Sequence, residues 1–163
     1  MFDAVKLTPL ELAECLHLLG STQIGRFVFQ DRMLLNAHPV HYVLDGASVV
    51  FRTEHGAKFR AASQRTVVVF EVDDINADTG VGWSVLVRGP AELVTQPYEI
   101  GLVAEALPRQ WAYDEPTDFV RVPLDVVQGR RYNGHLQTPR GRRRQRAAAG
   151  RGPTLEWPRL TPD

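Results

Sequence analysis

Residues of opposite polarity and size alternate along much of this chain. In 22–30, Gly25, Phe27 and Phe29 share one parity and Ile24, Arg26 and Val28 the other. Period two is the mark of a half-buried strand. Further strands are predicted at 33–44, 47–53, 65–72, 82–94 and 119–132. Residues 30–32 are polar enough to turn, and 73–80 read as a loop. Asp45-Gly46 lies between two apolar runs and predicts a tight two-residue hairpin. Pro39 removes a ladder donor, so that point is predicted at an edge or a bulge. The run 82–94 is predicted to bend near Gly89-Pro90. The last strand is predicted to be interrupted at Pro123 and near Gly129.

Helical spacing occurs at Leu12, Cys15, Leu16 and Leu19, and Gly20 ends the run. Thr8-Pro9-Leu10-Glu11 predicts its start, with Thr8 as cap, Pro9 in the first turn and Glu11 completing a capping box. Residues 55–62 and 99–106 predict two more helices. Short strands with two or three peripheral helices predict a mainly β protein, a small antiparallel barrel. After Tyr132 the pattern dissolves into Arg, Gly and Ala. Residues 1–133 are therefore read as one domain and 134–163 as a flexible, Arg-rich tail, in which Leu155, Trp157 and Leu160 are the residues able to dock.

At 163 residues the chain is long enough for one real core. No stretch approaches the ~20 apolar residues of a membrane span, and the start shows no basic-then-apolar leader pattern. The single cysteine, Cys15, cannot form an internal disulfide. A cytoplasmic location and a packing role for Cys15 are the simplest expectations. The charge is unevenly placed: residues 1–129 carry 10 Lys and Arg against 17 Asp and Glu, whereas 130–163 carry 9 against 2.

The densest candidate chemistry follows the hairpin. Arg52 and Thr53 end a strand, and Gly56 and Lys58 open a helix. Cations neutralise a phosphate, a hydroxyl donates to it, and helix N–H groups point at it. Trp83-Ser84 can stack on a ring and donate to a phosphate, or simply pack. His38 and His41 are three apart on a strand, face opposite sides and cannot share one metal without a bulge. Residues 74–85 do not match a calcium loop, because the glycine is displaced and position twelve is Val85. No nucleophile motif is present, and no metal site is predicted. The arginines of 141–146 attract polyanions, but no aromatic residue interleaves to stack bases, so nucleic acid is not the expected partner.

Three segments together resemble the pyridoxamine 5′-phosphate oxidase-like, FMN-binding split-barrel family. They are LGSTQIGRFVF at 19–29, HPVHYVLDGASVVFRTEHGAKFRA at 38–61 and VVVFEVDDINADTGVGWSVLVRGPAELV at 67–94. The resemblance implies a six-stranded Greek-key split barrel that forms a homodimer with FMN at its interface. By that likeness Arg52, Thr53 and Lys58 bind the FMN phosphate. Pro39, Val40 and Tyr42 lie on the strand beside the flavin ring, and Trp83 and Ser84 come from the second subunit. The implied activity is that of a flavoprotein oxidoreductase of unassigned substrate. The family's C-terminal Arg-x-His substrate segment has no counterpart here, which argues against oxidation of pyridoxamine phosphate itself. Relatives of this fold also use the deazaflavin F420, and others bind haem. A cradle for one phosphate does not separate FMN from F420. Haem would need His38, His41 or His55 as a ligand. A non-catalytic sensor whose Arg-rich tail engages nucleic acid is the alternative of another class.

Overall fold

A computed structural model describes residues 7–107 and 118–134 of the chain. The 134–163 tail, with its arginines and Trp157, lies outside them apart from Gly134. The elements in order are β1 (Leu7–Leu10), α1 (Leu12–Ser21), β2 (Ile24–Asp31), β3 (Leu34–Asp45), β4 (Ser48–Thr53) and α2 (Ala57–Ser63). There follow β5 (Val67–Ile75), β6 (Val81–Pro90), β7 (Glu92–Leu93), α3 (Pro97–Ala106), β8 (Asp118–Pro123) and β9 (Val126–Asn133). All pairings are antiparallel, in the order β1-β9-β6-β5-β2-β3-β4-β8-β7. The fold is thus mainly β, a curled half-barrel of nine strands among the described residues rather than the six expected.

β3 makes the curl. It pairs with β2 from Leu34 to His41, then with β4 from Tyr42 to Asp45, so the strand leaves one half of the sheet and enters the other. Pro39 lies where β3 has β2 on one side only, so its missing N–H breaks no second ladder. The curl closes where β6 passes β8. A β-carbon on Gly89 would lie 3.0 Å from the Pro123 carbonyl oxygen.

Inside the curl, Phe27, Phe29, Tyr42, Phe51 and Phe70 pack with Val68, Val72, Val85 and Val87. A second cluster of Val50, Val94, Val103, Leu107 and Phe119 lies between the other face of β4 and β8 and helix α3. Alternation along β4 feeds both, since Val49 and Phe51 point one way and Val50 the other.

Several elements depart from the sequence reading. Leu7–Leu10 is a strand on β9, and Thr8 accepts a hydrogen bond from Asn133 instead of capping a helix. Glu11 is the N-cap and makes no side-chain cap bond. Four residues of ladder outweigh one cap. On α1 Cys15 and Leu19 are buried, but Leu12 and Leu16 remain exposed. The β3–β4 loop is Gly46-Ala47, one residue beyond Asp45-Gly46, because Asp45 pairs with Ser48. Gly46 takes φ +57°, as the first position of a type II′ turn requires. The β2–β3 turn falls on Arg32-Met33, at φ 48° and 65°. β5 runs on to Ile75, and Asn76, not a carboxylate, organises the next turn by accepting from the N–H groups of Asp78 and Thr79. The run 82–94 ends at Pro90, with β7 a separate strand. The long last strand is two, β8 on β4 and β9 on β6, divided just after Pro123.

Candidate functional site

The end of β4 and the start of α2 hold Thr53, Glu54, His55 and Lys58 together. Thr53 points into the barrel, is 1% exposed, and donates from its hydroxyl to the Glu54 carbonyl at 3.1 Å. Gly56 is the N-cap of α2. Lys58 is half-buried and makes no ion pair among the described residues. Burial pushes its ammonium below the ordinary lysine value, and Glu54 opposes that shift. A desolvated cation of this kind is a natural seat for an oxyanion.

Arg52 does not point where Thr53 does. Neighbours on a strand face opposite ways, and Arg52 turns towards α3. Its Nη2 donates to the Ala104 carbonyl at 2.9 Å, and its guanidinium lies 5.1 Å from the centre of the Phe119 ring. Among the described residues the buried Nε has no acceptor. Arg52 therefore braces the strand end from behind, whereas Lys58 has no such bond among the described residues.

The loop between β4 and α2 is tied down by His55. Its ring stacks on Phe59 at 4.4 Å, and its Nε2 lies 2.8 Å from an Asp118 carboxylate oxygen. On the far end of α2, Arg60 makes two bonds to Asp31, at 3.2 and 2.7 Å, and holds that carboxyl below the usual range. Neither Asp118 nor Asp31 carries a spacing signal relative to α2, so sequence reasoning passed over both.

Among the ring-pocket candidates, Pro39 is exposed and Val40 is buried. Tyr42 is turned into the barrel, 2% exposed, with its ring edge-on to Phe70. Its hydroxyl is shared between the Leu19 carbonyl and the Thr22 hydroxyl, and burial raises its pKa. It supports the strand from inside rather than offering a surface. Trp83 and Ser84 face opposite sides of β6. Trp83 packs against the barrel core, while Ser84 lies on the outer face within 3.1 Å of the Tyr132 hydroxyl. Among the described residues no hydrogen bond or ion pair joins these two to Thr53 or Lys58. Tyr132 is a partner that sequence reasoning missed, since it lies 48 residues away.

A cleft of about 510 Å³ between α2, β7 and the start of α3 holds none of the expected site residues. Arg65 and Arg121 line it, each held by a glutamate, Glu92 and Glu99. Among the described residues no group of three His, Cys, Asp or Glu could hold a metal ion, and no helix is long and apolar enough to cross a membrane.

Fold and site together are those of a curled antiparallel half-barrel with a half-buried lysine just past the end of β4. The sequence profile of the pyridoxamine 5′-phosphate oxidase family matches residues 11–131, and the chain belongs to that family. An uncharacterized protein of Mycobacterium tuberculosis is 29% identical over 142 residues, spanning 84% of this chain and 93% of its own. The solved FAD binding protein of Mycobacterium smegmatis is 33% identical, with a TM-score of 0.67 over 77% of this chain and 98% of its own. A FAD-binding protein of Mesorhizobium loti shares the fold, with a TM-score of 0.65 over 77% of this chain and 97% of its own, at 20% identity.

Proposed function

We propose that this chain is a flavin-binding protein that takes FMN and acts as an oxidoreductase, working as a homodimer with the cofactor at the interface. The observation that carries the reading is Lys58, a half-buried cation near the start of α2 that makes no ion pair among the described residues. A cofactor phosphate would be held there by Lys58, with the backbone N–H groups around Gly56 close by. Thr53 and Arg52 keep the strand end in place, one from inside the barrel and one from α3. Ser84, on the outer face of β6 but only 6% exposed beside the Tyr132 hydroxyl, is assigned to a second copy's ligand on the family likeness alone. The flavin, when bound, supplies the electron or hydride transfer; the protein supplies binding, orientation and access. Family membership and likeness to a protein described as FAD-binding support a flavin over other ring cofactors. The lone cysteine is free and buried, which suits a reducing compartment such as the cytoplasm.

The test is an absorbance titration of the purified full chain with FMN, FAD and F420 in parallel. Uptake of FMN near one per subunit is the expected result. Uptake of FAD in preference to FMN would move the assignment to the dinucleotide. Tight binding of F420 alone, or of none of the three, would overturn the flavin reading.

A further inference from the structure

The cleft between α2, β7 and the start of α3 is lined by a row of alternating charge. Arg65 lies 2.5 Å from Glu92. Glu92 on β7 is the cross-strand neighbour of Arg121 on β8, so their side chains share a face. Arg121 turns to Glu99 on α3, at 3.3 Å, with Asp45 at 3.7 Å. The row reads Arg65, Glu92, Arg121, Glu99, and all four line the cleft. Among the described residues the two guanidiniums meet three carboxylates. An anion alone finds no surplus positive charge there.

Arg65 is a residue that its backbone does not favour. It follows α2 in a Schellman turn: its N–H donates to the Ala62 carbonyl at 3.0 Å, and that of Thr66 to the Ala61 carbonyl at 2.9 Å. Its φ is +51°, in the left-handed region that glycine enters without steric cost. The pair with Glu92 does not account for an arginine here. The Arg65 side chain is 67% exposed, and exposed ion pairs contribute little. A strained backbone kept for a guanidinium points to an anionic group on a ligand, and the carboxylates of the row require a cationic group on the same ligand. We propose that this cleft binds a small zwitterion of the α-amino-acid class, laid antiparallel on the Arg65–Glu92 pair. Its carboxylate meets Arg65, its ammonium meets Glu92, and Arg121 and Glu99 face its side chain. The pair need not break, since a guanidinium has further N–H donors and a carboxylate further lone pairs. Lys58 lies in the first turn of α2, and Ser63, at the other end of the helix, borders the cleft. The inference therefore does not rest on the flavin reading.

The experiment is NMR shift mapping on the full chain, with L-glutamine, L-arginine and L-glutamate as probes. A saturable shift centred on the amides of Arg65, Glu92 and Glu99 is expected for at least one of them. Its N-acetyl derivative, which lacks the ammonium, and its α-amide, which lacks the carboxylate, should each bind at least about tenfold more weakly. Arg65→Gly should melt at or above the wild-type temperature, because glycine suits that φ, and yet lose at least about tenfold in affinity. Glu92→Gln should weaken the amino acid but not its N-acetyl derivative. No saturable shift from any of the three probes would overturn the inference, as would derivatives of one charge that bind as tightly as the zwitterion. So would an Arg65→Gly chain that keeps its affinity, or one that melts well below wild type and so makes Arg65 a part of the fold. Flavin uptake by the same samples bears on the earlier reading and not on this one.

Discussion

Arg52 donates to the carbonyl of Ala104, 52 residues away, at 2.9 Å. That one bond separates two neighbouring cations, one of which the fold itself uses. Arg52 and Lys58 are equivalent as charges in the sequence. In the structure Arg52 fixes β4 to helix α3 and lies over Phe119, while Lys58 is half-buried and makes no ion pair among the described residues.

Arg52→Ala should therefore act first on stability. It removes a charge-assisted bond worth about 1.5–3 kcal/mol and the contact with Phe119, and leaves the Ala104 carbonyl without its partner. The expected outcome is a lower urea midpoint without flavin. If the variant keeps the wild-type midpoint and loses only affinity, Arg52 is a ligand residue instead.

Tyr42→Phe separates a structural tyrosine from a pocket tyrosine. The hydroxyl is shared by Leu19 and Thr22 in the interior, and its loss should cost about 1–2 kcal/mol. Flavin affinity, measured by fluorescence quenching, should stay within about twofold of wild type, since a single lost neutral bond that does not touch the ligand moves only the folding equilibrium.

Gly129 is predicted to be intolerant of any side chain. A β-carbon there would run into the Cys15 sulfur and would lie 2.9 Å from the Leu10 side chain. Helix α1 and strand β1 close on β9 at this point, so Gly129→Ala should destabilise by about 1–3 kcal/mol through overpacking. Adding Cys15→Ala should return part of that loss, a non-additivity that thermal melts of the two singles and the double would show.

Much of this molecule is legible in its residues. The alternation of Phe27 and Phe29, the β-branched run at Val67–Val69 and the turn signal near Gly46 place β2, β5 and the β3–β4 hairpin close to where they lie. What local pattern does not carry is pairing. Thr8-Pro9-Leu10-Glu11 has the chemistry of a helix start, but Leu7–Leu10 finds its ladder partner in β9, at the other end of the domain, and no local signal reports that. Gly129 reads as a strand interruption, whereas its role is the close approach of Cys15. At the site, residue types are readable but directions are not. Arg52 and Thr53 look like one cradle until the alternation of β4 sends them to opposite sides, and Trp83 and Ser84 divide in the same way. Asp118 and Tyr132 come to the site through the topology of β8 and β9.

Lys58 offers a test with a definite sign. Burial disfavours its charged form, so its folded pKa lies below the value in the unfolded chain. The fold is opposed by this charge at neutral pH, and that opposition fades as pH rises through the lowered value. Lys58→Met should consequently hold or raise the melting temperature of the unliganded protein. A bound phosphate works the other way. It favours the ammonium and raises the pKa again, so binding above the lowered value must take up a proton. Affinity for FMN should be independent of this group near neutral pH and then fall with rising pH, beginning below the ordinary lysine range, by about tenfold per unit at most within the window. In Lys58→Met the affinity should be lower by roughly tenfold or more at neutral pH, on the scale of a charge-assisted bond, and this alkaline fall should disappear. Isothermal titration at several pH values measures both. A variant that is weaker but keeps the same alkaline fall would assign the titration to another group and leave Lys58 with no direct hold on the phosphate.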